Sequence, residues 1–266
     1  MRPRSLTRCL STLAGIALLF TAVATSAADV RVMISAGFYE AYSELAPAFE
    51  RSSGHHLVTV RGPSLGDSPE AIPNRLKRGE PADVVIMIGA SIDDLGRQAL
   101  VRPESKIDLA RSEIGMVVRA GAPKPDISSV DALRRTLIEA KSIAYSDSGS
   151  GIYLSTTLFP QLGVAEQVAS KSRKVKGPPS GEPVAAVVAR GDAEIGFQQV
   201  AELIHAPGVT FVGAIPAQLQ PETFYSAALA NNVAEPNAGE ALIRFIASPE
   251  AAPAISKAGL APLSKR

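Results

Sequence analysis

The chain has 266 residues, of which 46% are hydrophobic and 20% are charged, a composition that excludes a disordered or fibrous protein. Its 27 lysines and arginines nearly balance 26 aspartates and glutamates, which leaves no basic surplus for binding nucleic acid. The single cysteine excludes a disulfide framework and any zinc site built on cysteines.

The first 28 residues have the pattern of an export signal. Three arginines lie within the first eight positions, an apolar run extends from Leu10 to Ala24, and small residues follow. The run is too short to span a membrane comfortably, and cleavage after Ala27 or Ala28 satisfies the small-x-small rule. We therefore predict that residues 1–28 are removed and that the remaining chain, with 24 basic and 26 acidic residues, is periplasmic.

Strand-like and helix-like segments alternate along the rest of the chain, which predicts an α/β fold. Strands are predicted at 30–35, 57–60, 83–88, 114–119, 143–145, 194–198 and 223–230, with one more ending at Val175. Helices are predicted from Gly37, at 69–78, after an N-cap at Ser91, at 130–139, from Ile152, at 183–190, at 238–246 and after Ser248.

These segments divide into two α/β halves. Residues 29–110 plus about 226–266 are predicted to form lobe 1, and residues from about 111 to 225 are predicted to form lobe 2. Because the chain would then pass between the lobes twice, we also predict a hinge.

Three junctions between a strand end and a helix start are rich in glycine and serine: Ser35-Ala36-Gly37, Gly62-Pro63-Ser64 and the stretch 146–151. Helix N-termini present unpaired N–H groups and a positive dipole end, and ligands of open α/β sheets lie at the carboxyl ends of strands. The junctions therefore predict a site for a small anion, with ordinary turns as the alternative. The candidate ligand-binding residues are Ser35, Gly37, Ser64, Ser148, Ser150 and Gly151.

Arg61 ends the second predicted strand, directly before Gly62. A guanidinium at this position can clamp a carboxylate through two parallel hydrogen bonds, and a surface ion pair is the alternative. The sequence contains no dinucleotide-binding glycine fingerprint and no P-loop. His-Glu-x-x-His is also missing, and we predict no metal site.

Five stretches, taken in order along the chain, resemble the periplasmic type II solute-binding proteins, specifically their molybdate-binding, ModA-like branch. They are Ser35-Ala36-Gly37-Phe38, Arg78-Gly79-Glu80-Pro81-Ala82-Asp83-Val84, Ser150-Gly151-Ile152-Tyr153, Gly191-Asp192-Ala193-Glu194-Ile195-Gly196-Phe197 and Ala247-Ser248-Pro249-Glu250-Ala251. The resemblance implies a two-lobed α/β fold with a hinge and a central cleft. It also implies a periplasmic monomer that binds a small anion and, as a receptor, works with an ABC permease.

In that branch the oxyanion contacts would fall on Ser35, Ser64, Ser150, Gly181 and Gln199. Molybdate binders have a tyrosine at the last of these positions, whereas this chain has Gln199 preceded by Gln198. Arg61 also adds a formal charge where molybdate sites use neutral donors. These departures indicate a larger anion, and a polycarboxylate fits better than a tetrahedral oxyanion.

The stretches GPSxGxxPxAIPxRLxRGExADVVIM, AKSIAYSDSxSGxY and IGFQQ are similar to the periplasmic aconitate isomerases. Interconversion of trans- and cis-aconitate moves a proton across an allylic system, which requires a base and no metal or redox cofactor. Asp147 is the first candidate for this base, although it could instead cap the following helix. Tyr145 or Tyr153 comes next, and loop position also admits Asp67 and Glu182.

Two functions stay open on the amino-acid sequence alone. The first is a cofactor-independent aconitate isomerase, in which Asp147→Asn would remove turnover and leave binding largely intact. The second is the substrate-binding receptor of an ABC importer for molybdate or another small oxyanion or carboxylate. Turnover of aconitate separates them, because a receptor binds its ligand without converting it.

Overall fold

The computed structural model describes residues 27–263. The predicted export signal lies outside these residues except for its last two positions. Within the described range, no helix is both long enough and apolar enough to cross a membrane.

Eleven strands within residues 27–263 form two mixed sheets. In chain order they are β1 (Asp29–Ile34), β2 (His56–Arg61), β3 (Val84–Ile88), β4 (Ile107–Ser112), β5 (Ile114–Arg119), β6 (Ile143–Ser146), β7 (Ser172–Val175), β8 (Ile195–Gln199), β9 (Val209–Ala214), β10 (Thr223–Leu229) and β11 (Ala261–Pro262). The six-stranded sheet has the order β11-β4-β10-β3-β1-β2, and the five-stranded sheet has the order β7-β6-β8-β5-β9. We call the six-stranded sheet with its helices lobe 1, and the five-stranded sheet with its helices lobe 2.

The helices cover the sheet faces. They are α1 (Ala36–Ser53), α2 (Ile72–Lys77), α3 (Gly89–Arg97), α4 (Val130–Glu139), α5 (Gly149–Tyr153), α6 (Phe159–Gln161), α7 (Ala165–Ala169), α8 (Val184–Arg190), α9 (Pro236–Ile246) and α10 (Ala252–Lys257). A π-helical turn, Leu154–Leu158, joins α5 to α6. Short 3₁₀ turns occur at Pro103–Ser105, Val200–Glu202, Ala217–Leu219 and Pro249–Ala251.

Both faces of each sheet are buried. In β3, Val84 and Ile86 pack in the core that contains α1 and α9, whereas Val85 and Met87 pack against α2 and α3. Lobe 2 has the same arrangement, since alternate residues of β5 face the α4 side and the α8 side. Because strand side chains alternate between faces, burial of both faces makes such strands continuous apolar runs in the sequence.

The chain passes between the lobes at two points, through Glu113 between β4 and β5 and through the segment between β9 and β10. The Gln220 side chain ties the two passages together. Its Oε1 accepts a hydrogen bond from the Ile114 N–H at 2.8 Å, and its Nε2 donates to the Ile114 carbonyl at 2.8 Å and to the Ile215 carbonyl at 3.1 Å. We propose that the lobes divide at these two passages.

Several element boundaries differ from the prediction. The helix predicted at 69–78 begins at Ile72, because the preceding residues form a separate turn. Ser91 is not an N-cap, since α3 begins at Gly89 and encloses Ser91 as a buried residue. The prediction also omits β4 and β9, whose sequences mix apolar residues with charged residues or glycine and so lack a clear strand period.

Candidate functional site

A cleft between the lobes contains two adjoining cavities. The volume open to water is ≈ 40 Å³ in the inner cavity and ≈ 530 Å³ in the outer cavity. All three predicted strand–helix junctions meet at the inner cavity. Of the predicted site residues, its lining includes Ser35, Gly37, Arg61, Ser64, Asp147, Ser148, Ser150, Gln198 and Gln199.

The N-terminus of α1 forms one wall of the inner cavity. Ser35 is the N-cap residue, yet its side chain makes no capping hydrogen bond, and its buried Oγ has no hydrogen-bond partner among the described residues. At Gly37, a Cβ atom would lie 1.8 Å from the Tyr225 hydroxyl, so only glycine lets this phenol approach the helix end. Since buried polar atoms normally have partners, the Ser35 hydroxyl and the helix end together offer donors to an anion.

Arg61, at the end of β2, brings positive charge to this wall. Its guanidinium carbon lies over the ring of Tyr39, 4.1 Å from the ring centroid, in a cation–π contact. The buried Nε of Arg61 has no hydrogen-bond partner among the described residues. Ser64 lines the same cavity, and its Oγ accepts a hydrogen bond from the Ile88 N–H at 3.2 Å. Arg61 therefore has an unused N–H donor for a carboxylate.

The turn from β6 into α5 forms the wall on the side of lobe 2. The helix begins at Gly149, earlier than predicted, and Ser148 is its N-cap residue. Ser150 is buried, and its Oγ lies 3.1 Å from the Oγ of Ser146. At Gly151, a Cβ atom would lie 1.7 Å from the Ser146 carbonyl oxygen, so glycine is required for the helix to start this close to the strand.

Two buried amide side chains at the end of β8 complete the inner cavity. Oε1 of Gln199 accepts a hydrogen bond from the Ser112 hydroxyl at 2.6 Å, which ties the two lobes together and leaves the Gln199 N–H groups for a ligand. Gln198 accepts from the Val184 N–H at 3.3 Å and donates through Nε2 to Oε2 of Glu202 at 2.5 Å. Gln199 therefore supplies a donor where the resemblance places a tyrosine hydroxyl.

Four predicted site residues do not line the inner cavity; they are Tyr145, Tyr153, Gly151 and Gly181. Tyr145 packs against Phe159 in the lobe 2 core, with ring centroids 5.9 Å apart. The Tyr153 hydroxyl donates to the Leu219 carbonyl at 2.8 Å. At Gly181, a Cβ atom would lie 1.9 Å from a backbone carbonyl oxygen. Neither tyrosine lines the inner cavity, and Tyr153 already uses its hydroxyl to donate to a backbone carbonyl.

The three carboxylates singled out in the sequence have different surroundings. Asp147 lines the inner cavity, and its Oδ1 accepts a hydrogen bond from the Gly177 N–H at 3.1 Å instead of capping α5. Asp67 is exposed. Glu182 forms an ion pair with Arg190 at 2.5 Å, and this partner lowers the pKa of Glu182. Only Asp147 among them is available to a ligand in the inner cavity.

Two titratable residues of the inner cavity, Glu202 and Tyr225, are missing from the predicted site. Burial raises the pKa of the Glu202 carboxyl to about 7, and the positive charge of Arg61 opposes this rise. Glu202 nevertheless keeps part of its surface open to the cleft. Burial also raises the pKa of Tyr225 well above its ordinary value, and the charge of Glu202 adds to that rise. A carboxyl with a pKa near 7 is suited to taking and returning protons at neutral pH.

The cavity thus combines one cation, several hydroxyl and amide donors and two carboxyls. Across residues 27–263, no group of three or more His, Cys, Asp or Glu side chains is placed to hold a metal ion. The arrangement can bind an anion from two sides and can exchange a proton with it.

Known proteins with related sequences divide between an enzyme and binding proteins. The chain is 48% identical over 232 residues to an aconitate isomerase of Pseudomonas sp., and the alignment covers 87% of each protein. It is 25% identical over 244 residues to the molybdate-binding protein ModA of Azotobacter vinelandii, which covers 90% of this chain and 92% of that protein.

The fold is shared with a solved structure, the periplasmic molybdate-binding protein of Azotobacter vinelandii. The two structures superpose with a TM-score of 0.69 at 22% sequence identity, covering 87% of this chain and 98% of the other. This likeness confirms the predicted two-lobed α/β fold. In addition, the sequence profile of a family described as bacterial extracellular solute-binding protein matches residues 30–261. The chain therefore belongs to the bacterial extracellular solute-binding protein family.

Proposed function

We propose that this protein is a periplasmic aconitate isomerase, which interconverts trans- and cis-aconitate by a 1,3-proton shift. The observation that carries the proposal is that one cavity holds both Arg61, whose Nε has no hydrogen-bond partner among the described residues, and Glu202, a carboxyl whose pKa is about 7. The first group suits the carboxylates of the substrate, and the second suits proton transfer. The 48% identity to a protein named aconitate isomerase supports the same activity.

A polycarboxylate also agrees with the shape and charge of the cleft. The inner cavity continues into a larger outer cavity, which leaves space for a ligand longer than a tetrahedral oxyanion. Tyr39, Glu40, Arg190 and His205 line the outer cavity together with Arg61. We propose that the protein acts on its substrate as an exported monomer.

The second candidate function is an importer receptor for a small anion that works with an ABC permease. The 25% identity to ModA of Azotobacter vinelandii favours it. The charge of Arg61 and the amide of Gln199 favour a carboxylate over molybdate as the ligand of this cleft.

A proton NMR time course of the purified protein with trans-aconitate, in the presence of EDTA, tests the proposal. We expect cis-aconitate to appear and, in deuterated buffer, the methylene protons of the substrate to exchange with solvent. Absence of both signals, together with tight calorimetric binding of molybdate or a tricarboxylate, would replace the isomerase by the receptor.

A further inference from the structure

We propose that Glu202 is the catalytic base of the isomerisation, and that the substrate lies across the junction of the two cavities with its reacting carbons beside this carboxylate. The inference rests on the proposed function and assigns the residue that carries the proton.

The position of Glu202 supports this assignment. Four residues line both cavities and so form the junction between them: Ala36, Arg61, Pro178 and Glu202. The inner cavity, with ≈ 40 Å³ for water centres, has room for about three water molecules. A tricarboxylate is several times larger, so a substrate with one carboxylate in the inner cavity extends into the outer one. Its middle carbons then pass the junction, where Glu202 is the only carboxylate in the described lining.

The backbone around Glu202 is held from both lobes. It ends the turn Val200–Glu202, which follows β8 of lobe 2 and packs against α1 of lobe 1. Ala201 of this turn is buried within the lobe 1 core, and the Val200 N–H donates to the Glu113 carbonyl at 2.8 Å. The carboxyl therefore has a fixed position between the lobes.

The two oxygens of Glu202 have different surroundings. Gln198 donates to Oε2 at 2.5 Å, whereas Oε1 has no hydrogen-bond partner within residues 27–263. One oxygen is thus anchored, and the other can face a substrate carbon. The titratable and charged groups around Glu202 in the two cavities are Arg61, Tyr225, Asp147, Tyr39, Glu40, Arg190 and His205.

The proton transfer balances within this arrangement. The Glu202 carboxylate takes a proton from the methylene carbon of aconitate, and the electron pair of that C–H bond enters the allylic system as the double bond shifts by one carbon. The negative charge spreads over the allylic carbons and their carboxylates, where Arg61 stabilises it. The protonated Glu202 then returns a proton to the carbon at the other end of the former double bond, which regenerates the carboxylate.

The isosteric variant Glu202→Gln tests the assignment. The substituted side chain retains an oxygen that can accept from Gln198 but cannot take a proton, so we expect kcat to fall by about 10²–10⁴-fold. Calorimetric affinity for tricarballylate, a saturated tricarboxylate, should change by less than about threefold, and solvent deuterium exchange of trans-aconitate should be lost. Glu139→Gln, which changes an exposed carboxyl at the end of α4, is the matched control and should match wild type.

The pH profile separates a base from a residue that only positions Arg61. Because the base acts when ionised and its pKa in the ligand-free cavity is about 7, wild-type kcat/KM should fall about tenfold per pH unit below that value. The residual turnover of Glu202→Gln should not show this fall at acid pH, which we call the acid limb. Glu202→Asp should restore part of the rate, and its acid limb should lie at a different pH. If Glu202→Gln converts aconitate at the wild-type rate, Glu202 is not the base, and the proposed function still stands. A wild-type protein without turnover would instead overturn the proposed function itself.

Discussion

The two walls of the inner cavity carry different kinds of groups. Lobe 1 contributes Ser35 at the start of the long helix α1 and Arg61 at the end of β2, and each has a buried polar atom that lacks a partner among the described residues. Lobe 2 contributes the carboxyls of Asp147 and Glu202 and the amides of β8. The lobe 1 wall therefore carries the positive charge, and the lobe 2 wall carries both carboxyls beside its own hydroxyl and amide donors.

This difference teaches how a binding fold can support chemistry. An anion receptor needs hydrogen-bond donors on both sides of its ligand. Proton transfer also needs a side chain beside the reacting carbon that accepts a proton and has a pKa near 7. Here the proton acceptor is Glu202, in a turn that follows a lobe 2 strand and packs into the lobe 1 core. The donors that bind the anion are other residues, so binding and proton transfer depend on different side chains. Variants on the two walls should accordingly change different quantities.

The largest expected effect on binding comes from Arg61→Ala on the lobe 1 wall. Loss of a charge-assisted hydrogen bond should weaken tricarballylate binding by about 1.5–3 kcal/mol, which calorimetry measures directly. Arg244→Ala is the control, because Arg244 is exposed and pairs with Glu240 at the surface of α9. If Arg61→Ala binds with wild-type affinity, lobe 1 does not hold the substrate through this charge.

A smaller effect is expected from Ser35→Ala, and a second helix-capping serine provides its comparison. Ser35 makes no capping hydrogen bond, so its removal should leave the melting temperature of the ligand-free protein unchanged while lowering tricarballylate affinity by about 1 kcal/mol. Ser129 does cap α4, accepting from the Ala132 N–H at 3.1 Å. Ser129→Ala should therefore cost about 1 kcal/mol of stability with unchanged affinity.

Thermal denaturation and calorimetry on both variants give the four values needed. Equal loss of stability in the two variants would mean that Ser35 serves the helix and not the ligand.

The lobe 1 wall could be predicted from the sequence because its residues follow local rules. Ser35, Arg61 and Ser64 each lie at or just after the end of a strand, and parallel strands bring such ends to one edge of a sheet. The same rule places the start of α5 in the cleft. The sequence therefore predicts the anion-holding half of the site and the two-lobed fold.

The residues missed by the prediction depend on long-range packing. Tyr225 reaches Gly37 only because the chain returns from lobe 2 to lobe 1, where β10 pairs between β3 and β4. Glu202 lies in a short turn whose local sequence predicts no special position. Its one signal is its spacing of four residues from Gln198, together with its position as a lone charge among apolar neighbours in the segment Val200–Leu203. Neither feature reveals that the turn is seated against α1.

The smallest expected effect is that of Asp147→Asn, which compares the two carboxyls of the lobe 2 wall. Asp147 already uses Oδ1 to accept a hydrogen bond from the Gly177 N–H, and the asparagine amide oxygen can retain that bond. If Glu202 is the base, kcat should stay within about twofold of wild type, and the fall of kcat/KM below about pH 7 should not move. Loss of turnover in Asp147→Asn with retained tricarballylate binding would instead identify Asp147 as the base, as its loop position predicts. The paired measurement with Glu202→Gln decides between the two, because only one of the variants can remove the acid limb.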